Sequence, residues 1–140
     1  MVNKYYKNII YMYIMNNLQK RFLLFLLGCI GIRSLFVYIA KNVNKTNLQI
    51  FGWISLLPAF GFIIIFLTGI RKTGAEVFGE KIWWNNLRPV HSLLYGLFAF
   101  NAINQNENSW IFLLIDVIIG LVSFLTHHYN EGNFSKLILN

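Results

Sequence analysis

Cysteine, proline and acidic residues are scarce in this 140-residue chain, and the shortages close off whole classes of chemistry. A single cysteine, Cys29, excludes an intramolecular disulfide and any zinc cage built from thiolates. Charged residues make up 12% of the chain and hydrophobic ones 56%, with only two prolines, so a water-soluble domain of this size would be left with large exposed apolar patches. Catalytic signatures are missing as well. There is no Walker pattern, no GxGxxG after a strand, no GxSxG elbow, no HExxH, no row of histidine boxes, no CxxCH and no pair of membrane aspartates. Ser34, Ser55, Ser92 and Ser123 are isolated in apolar surroundings, where serine bonds its own backbone or lets helices approach. These absences lean away from an enzyme.

Long apolar runs are what the chain does have. Phe22 to Ala40, Ile50 to Gly69, Pro89 to Ile103 and Ser109 to Thr126 fill half of it. A hydrocarbon core of ~30 Å takes about 20 helical residues at ~1.5 Å each, and three of the four runs meet or nearly meet that length. The Pro89 run is short and reaches full length only with Leu87 and Arg88, or Trp83 and Trp84, in the headgroup layer. Lys41 to Gln49 and Asn104 to Asn108 are short polar turns, which pair neighbouring spans as antiparallel hairpins. The expected fold is an all-α, integral membrane four-helix bundle with up-down topology. Residues 21–129 form its single domain, and residues 130–140 a short tail.

The net charge of +7 does not gather into a nucleic-acid-binding stripe. Lys4, Lys7, Lys20, Arg21, Arg71, Lys72, Lys81, Arg88 and Lys136 fall on one predicted side of the membrane, and only Lys41 and Lys45 on the other. Under the positive-inside rule both termini and the Arg71 to Arg88 loop are cytoplasmic, facing anionic headgroups. Residues 1–20 read as a cytoplasmic or interfacial segment. Val2, Tyr5, Tyr6, Ile9 and Tyr13 recur as in an amphipathic interfacial helix, whereas a start at Met12 or Met15 would make the first dozen residues an unstructured leader. The stretch is unlike a secretory signal, because Asn8, Asn16 and Asn17 interrupt it and no small-residue cleavage site follows.

Two charges lie within the apolar runs, Arg33 and Asp116. Each is costly unless it faces the protein interior and finds a partner. Counting from the span boundaries puts Arg33 about 13 Å and Asp116 about 11 Å from the outer face, so the two can meet. Pro58 and Asn101 fall at a similar depth, and Pro58 frees a backbone carbonyl. The expectation is a polar layer of Arg33, Asp116, Asn101 and Pro58. It reads either as an ion pair that fixes helix register, or as a proton or ion pathway or the floor of a ligand cavity.

The second concentration is the loop from Arg71 to His91, where Glu76, Glu80, Trp83, Trp84 and Arg88 mix charge with aromatic rings. Gly74 and Gly79 permit turns, and Glu76 to Lys81 reads as a short surface helix. His91 at the start of the third span and His127 and His128 at the end of the fourth are expected at nearly one level. Three imidazoles beside carboxylates suit a transition metal, and two on facing helices suit haem. The leading functional reading is a non-catalytic scaffold, assembly or modulatory protein working through its cytoplasmic loop. The alternatives are a small oligomeric transporter or channel subunit using the Arg33/Asp116 layer, and a membrane haem or metal protein using the histidines. Expected partners are the bilayer and a second copy or another membrane protein, with no nucleic acid.

Overall fold

The computed structural model describes residues 16–74 and 77–138, which form helices, turns and one isolated bridge, with no strand among them. The expected interfacial helix, up to residue 15, and Glu76 of the loop lie outside the described residues. Helix α1 (Asn17–Asn42) starts at a capping box. The Asn16 side chain accepts from the Gln19 amide at 2.8 Å and the Gln19 side chain accepts from the Asn16 amide at 3.1 Å, satisfying two donors that the first turn leaves open. From Leu24 to Ile30 its hydrogen bonding widens to the π pattern, and α geometry resumes at Gly31.

Helix α2 (Lys45–Thr68) follows a two-residue connection. Asn44 caps it, and Gly69 ends it in the left-handed region (φ +61°) that glycine enters without steric cost. A 3-10 turn over Trp83–Leu87 leads into α3 (Arg88–Ile103), with Pro89 in the first turn where the missing N–H is no loss. A second 3-10 turn (Glu107–Ser109) leads into α4 (Trp110–Asn130), and α5 is Asn133–Ile138.

Three helical stretches, α1, α2 and Glu107–Asn130, are long and apolar enough to cross a membrane. At 16 residues α3 spans about 24 Å, below the ~30 Å of a hydrocarbon core, as its short apolar run implied. The outer surface carries Leu27, Leu57, Leu67 and Phe100 exposed, Leu57 to 75%. Side chains of this kind in such number fit a hydrocarbon surrounding and not water.

Packing follows helical periodicity. The buried residues of α3 are Arg88, His91, Leu94, Tyr95, Phe98, Ala99 and Ala102, and those of α4 are Leu113, Asp116, Val117, Gly120, Phe124 and His128. Both sets step by one, three or four, which is one helix face. Helix α2 lies mainly against α3 and α1 mainly against α4. At Gly52 the α2 backbone meets α3 so closely that a Cβ there would sit 2.9 Å from the Ile103 amide nitrogen and 3.1 Å from the Ala99 carbonyl oxygen.

The molecule thus has two distinct ends. At the turn end, Lys45 pairs with Glu107 at 3.5 Å and the Lys41 ammonium lies over the Trp110 ring. At the loop end, Arg21 meets Glu80 and Phe22 packs on Phe124, His128 and Phe134. The 69–87 connection folds back on itself there: the Ile82 amide donates to the Lys72 carbonyl at 2.9 Å and Thr73 bridges Lys81. Residues 77–81 turn instead of continuing the expected surface helix, because Gly79 takes φ +83° and Val77 buries its side chain.

Candidate functional site

Arg33 on α1, His91 on α3 and Asp116 on α4 converge between the helices. The Arg33 Nη1 donates to Asp116 Oδ2 at 3.0 Å, and the His91 Nδ1 bonds the other carboxylate oxygen. Asp116 is 1% exposed and His91 4%. The Arg33 Nη1 also lies 3.1 Å from His91 Nδ1, so that ring nitrogen faces both the guanidinium and the carboxylate. No hydrogen bond among the described residues ends on the second ring nitrogen, Nε2. Arg33 also lies 5.6 Å from the Phe62 ring centroid, so α2 contributes an aromatic face to the same charge. Gly120, one turn beyond Asp116, faces the cluster: a Cβ there would lie 3.6 Å from Arg33 Nη1 and 3.8 Å from His91 Cε1, in ordinary contact with both.

The remaining members of the expected polar layer sit elsewhere. Asn101 is in the last turn of α3, where its Nδ2 donates to the Leu97 carbonyl at 2.8 Å and its Oδ1 accepts from Asn106 at 3.1 Å. It shapes the turn end, ten residues or about 15 Å along the helix from His91. Pro58 is half-buried on α2 beside Ala59, whose carbonyl accepts from the Ser92 hydroxyl at 2.6 Å. Helix α2 reaches the charged cluster through Phe62, one turn further on. Depth counting failed for α3 because it supposes that every span starts at one plane. Helix α3 starts only three residues before His91, while α4 runs fourteen residues, about 21 Å, past Asp116 in the same direction.

That stagger also separates His91 from His127 and His128. His91 is engaged by Asp116. His127 stacks on Trp83 with ring centroids 4.3 Å apart and planes 9° from parallel, and His128 packs on Phe22 and Phe124 while its Nδ1 accepts from Asn133 at 2.8 Å. Among the described residues, no group of three His, Cys, Asp or Glu side chains gathers as a metal would need. His127 and His128 stay together, their ring centroids 5.0 Å apart and both against Trp83, while His91 sits apart in the Arg33–Asp116 cluster, so the three imidazoles do not converge on one point.

A cavity of about 870 Å³ joins these parts. Its inner end is bounded by Arg33, His91 and Gly120, and its outer end by the loop and by His127 and His128. Of the loop residues singled out in the sequence, Glu80, Trp83, Trp84 and Arg88 all line it. Glu80 pairs with Arg21 at 2.8 Å, and that hydrogen bond and positive charge hold its carboxyl below the ordinary range. Arg88 is 3% exposed and donates to the Arg71 carbonyl and to Asn85 Oδ1, so it ties the loop to the start of α3. The π turn of α1 contributes Leu24, Phe25, Cys29 and Ile30 to the wall.

Three features escaped the sequence reading: His91 as the third member of the charged cluster, Gly120 as its spacer, and the π turn. The first two were accessible by counting helix faces. His91 shares a stripe with Leu94, Tyr95 and Phe98, and Gly120 lies four residues from Asp116. Local sequence carries no marker for the π turn.

No protein-family model, curated protein or solved structure matches the chain.

Proposed function

We infer that the protein is a multi-pass membrane protein of the transport class, four spans alternating in direction with both termini and the loop on the cytoplasmic side. It moves protons, alone or with a small solute, by way of the Arg33–His91–Asp116 cluster. The observation that carries this reading is the position of an ionisable cluster at the inner end of a cavity, with no hydrogen bond among the described residues on the second nitrogen of His91. Intramembrane ionisable groups that line a cavity are the usual hardware of proton relays. Leu48, Phe98 and Leu113 are buried at the turn end, away from the cavity, so the arrangement resembles a carrier open to one side more than a pore. Four helices leave little lumen, and a second copy of the chain is the natural complement.

The scaffold reading is weaker for a physical reason. Trp83 and Arg88, the side chains best suited to grip a partner, are spent inside the molecule on His127, Asn85 and the Arg71 carbonyl. A haem or metal role draws no support from the histidine contacts.

The test is proton flux in proteoliposomes with a trapped pH dye. Wild-type protein is expected to collapse an imposed pH gradient. Asp116→Asn and His91→Gln are expected to hold it while their thermal melting confirms folded protein. A wild-type protein no leakier than empty liposomes, or an Asp116→Asn variant that melts earlier but conducts as before, would make the cluster structural.

A further inference from the structure

The charged cluster has two sides. Arg33, His91 and Gly120 face the cavity, while toward the turn end the helices close over Phe98, Ala102 and Leu113. Asp116 is bonded to Arg33 and His91, and no chain of hydrogen bonds among the described residues leads from it into the closed half. Two hydroxyls nevertheless stand there. Tyr95 lies one turn past His91 on the buried face of α3, is 4% exposed and does not line the cavity. Its ring packs on Phe62 with centroids 5.9 Å apart, and Phe62 packs on His91 at 5.7 Å. Helical side chains lean toward the N-terminus of their helix, so the Tyr95 ring leans back toward the cluster, and the charges of Asp116 and Arg33 both act on its hydroxyl. No hydrogen bond among the described residues begins or ends on that hydroxyl.

Ser109 is the second. It is fully buried where α4 starts, in the turn that packs against α3 and α1. A serine at this N-cap position ordinarily accepts from an amide of the first turn, but here the side chain makes no such bond and its Oγ has no partner among the described residues. Ser109, Leu113 and Asp116 step by four and three along one face of α4, so the hydroxyl lies on the cluster's own stripe, seven residues or about 11 Å nearer the turn end. Ser55 and Ser92 show what core hydroxyls do when they only hold structure: the first donates to the Phe51 carbonyl at 2.8 Å, the second to the Ala59 carbonyl at 2.6 Å. Buried polar groups are nearly always bonded, and two spare hydroxyls in the half that a proton must still cross are exceptions with a physical use.

We propose that Tyr95 and Ser109 carry the proton through the closed half, Tyr95 taking it from the Arg33–His91–Asp116 cluster and Ser109 passing it to the Asn104 to Asn108 turn, with a short file of water between them. The inference rests on the proton-moving reading of the cluster and adds the residues of its outer half. The exchange balances at each oxygen. A proton from the cluster adds to a lone pair of the Tyr95 hydroxyl as the hydroxyl's own proton leaves to a water on the far side, and the water and then the Ser109 Oγ repeat the step. Each group ends with the proton count it began with, and one proton has crossed. A water in an apolar core needs about two polar partners or more, which the spare hydroxyls supply at the two ends of the file. A proton needs no opening wide enough for a solute, so Phe98, Ala102 and Leu113 have only to admit single waters.

The full-length protein in proteoliposomes with a trapped pH dye is compared with Tyr95→Phe, Ser109→Ala and, as a bonded-hydroxyl control, Ser55→Ala, each also melted in detergent. Phenylalanine keeps the ring of Tyr95 in place and removes only its hydroxyl. Tyr95→Phe is expected to lower proton flux at least about tenfold, short of the full effect of a lost acid–base group because water can partly stand in. Ser109→Ala is expected to lower it by a smaller factor. Neither is expected to lower the melting temperature, since each removes a polar group that has no partner to lose. Ser55→Ala is expected to conduct as wild type does. Wild-type flux in Tyr95→Phe while Asp116→Asn is blocked would overturn the route and leave the role of the cluster standing. Flux lost together with a lowered melting temperature in Tyr95→Phe, or lost equally in Ser55→Ala, would make the hydroxyl part of the packing and overturn it as well. No flux from the wild type would remove the reading on which the route rests.

Discussion

At the turn end of the molecule Gly52 lets the α2 backbone rest on Ala99 and Ile103, and Leu48, Phe98, Ala102 and Leu113 are at most 1% exposed. At the loop end the helices part around a cavity, α1 loosens into a π turn, and the contacts are made by Arg21, Arg33, Arg88, Asp116 and three histidines. The same four helices therefore use two means of cohesion. Lipid chains are as apolar as leucine, so hydrophobic burial alone gives the helices little reason to associate in a membrane. Close steric fit does the work at one end, and charge pairing with aromatic stacking does it at the other. The first kind tolerates no change of shape; the second leaves a cavity of about 870 Å³ between the helices.

The sharpest way to break the loop-end half is to remove one charge and keep the other. Asp116→Leu leaves Arg33 without its carboxylate in a largely apolar setting, and loss of one partner of a buried pair costs about 3–5 kcal/mol. The lower end applies here, because Arg33 still lines the cavity. The double change Arg33→Leu with Asp116→Leu is expected to recover most of that loss in thermal or denaturant melts in detergent, since two matched leucines leave no orphaned charge. A double variant no more stable than Asp116→Leu would mean that the pair contributes by geometry that leucine cannot replace.

The turn-end half is tested through Gly52. A valine there has to push backbone atoms of α3 aside, with a penalty of about 2–3 kcal/mol from overpacking. The expected signature is a lowered melting temperature together with unchanged proton flux, the property assigned to the Arg33–His91–Asp116 cluster. If Gly52→Val instead abolishes flux as Asp116→Asn is expected to, the two ends are one cooperative unit and the contrast between them is false. A gentler probe on the other side is Gly120→Ala. Its Cβ would meet Arg33 and His91 at 3.6 and 3.8 Å, ordinary contact, so stability is expected to change by less than about 0.5 kcal/mol while proton flux falls.

The two ends also differ in how far they could be read from sequence. The apolar runs, the scarcity of charge inside them and the pairing of Arg33 with Asp116 follow from transfer energies that depend on residue type and little else. Asn101 and His91 were misplaced because their height depends on where α3 begins, and that is decided by the fold of residues 69–87. There the buried Arg88, the Lys72–Ile82 hydrogen bond and the Trp83–His127 stack draw the start of α3 inward. These are contacts between distant parts of the chain, and no local pattern announces them. The π turn is of the same kind: Leu24 to Ile30 is an unremarkable apolar stretch whose hydrogen bonding is set by what it packs against.

The smallest expected effect lies at the mouth of the cavity and fixes a sign. Glu80 is held below its ordinary range first by the hydrogen bond from Arg21 and then by its charge. A carboxylate whose pKa is lower in the folded than in the unfolded protein adds stability above its unfolded value, and that stability drains away as pH falls through the depressed folded value. The wild-type advantage over Glu80→Gln should therefore be present at neutral pH, shrink below about pH 4.3, the ordinary glutamate value, and vanish once the folded carboxyl has taken up its proton. Because Glu80 is exposed to solvent, the advantage is also expected to fade with added salt. Melting temperatures of the two proteins across that range check it. A difference that grows toward acid pH would mean that Glu80 acts by repelling a neighbouring carboxylate, and its pairing with Arg21 would then not be what holds the mouth of the cavity.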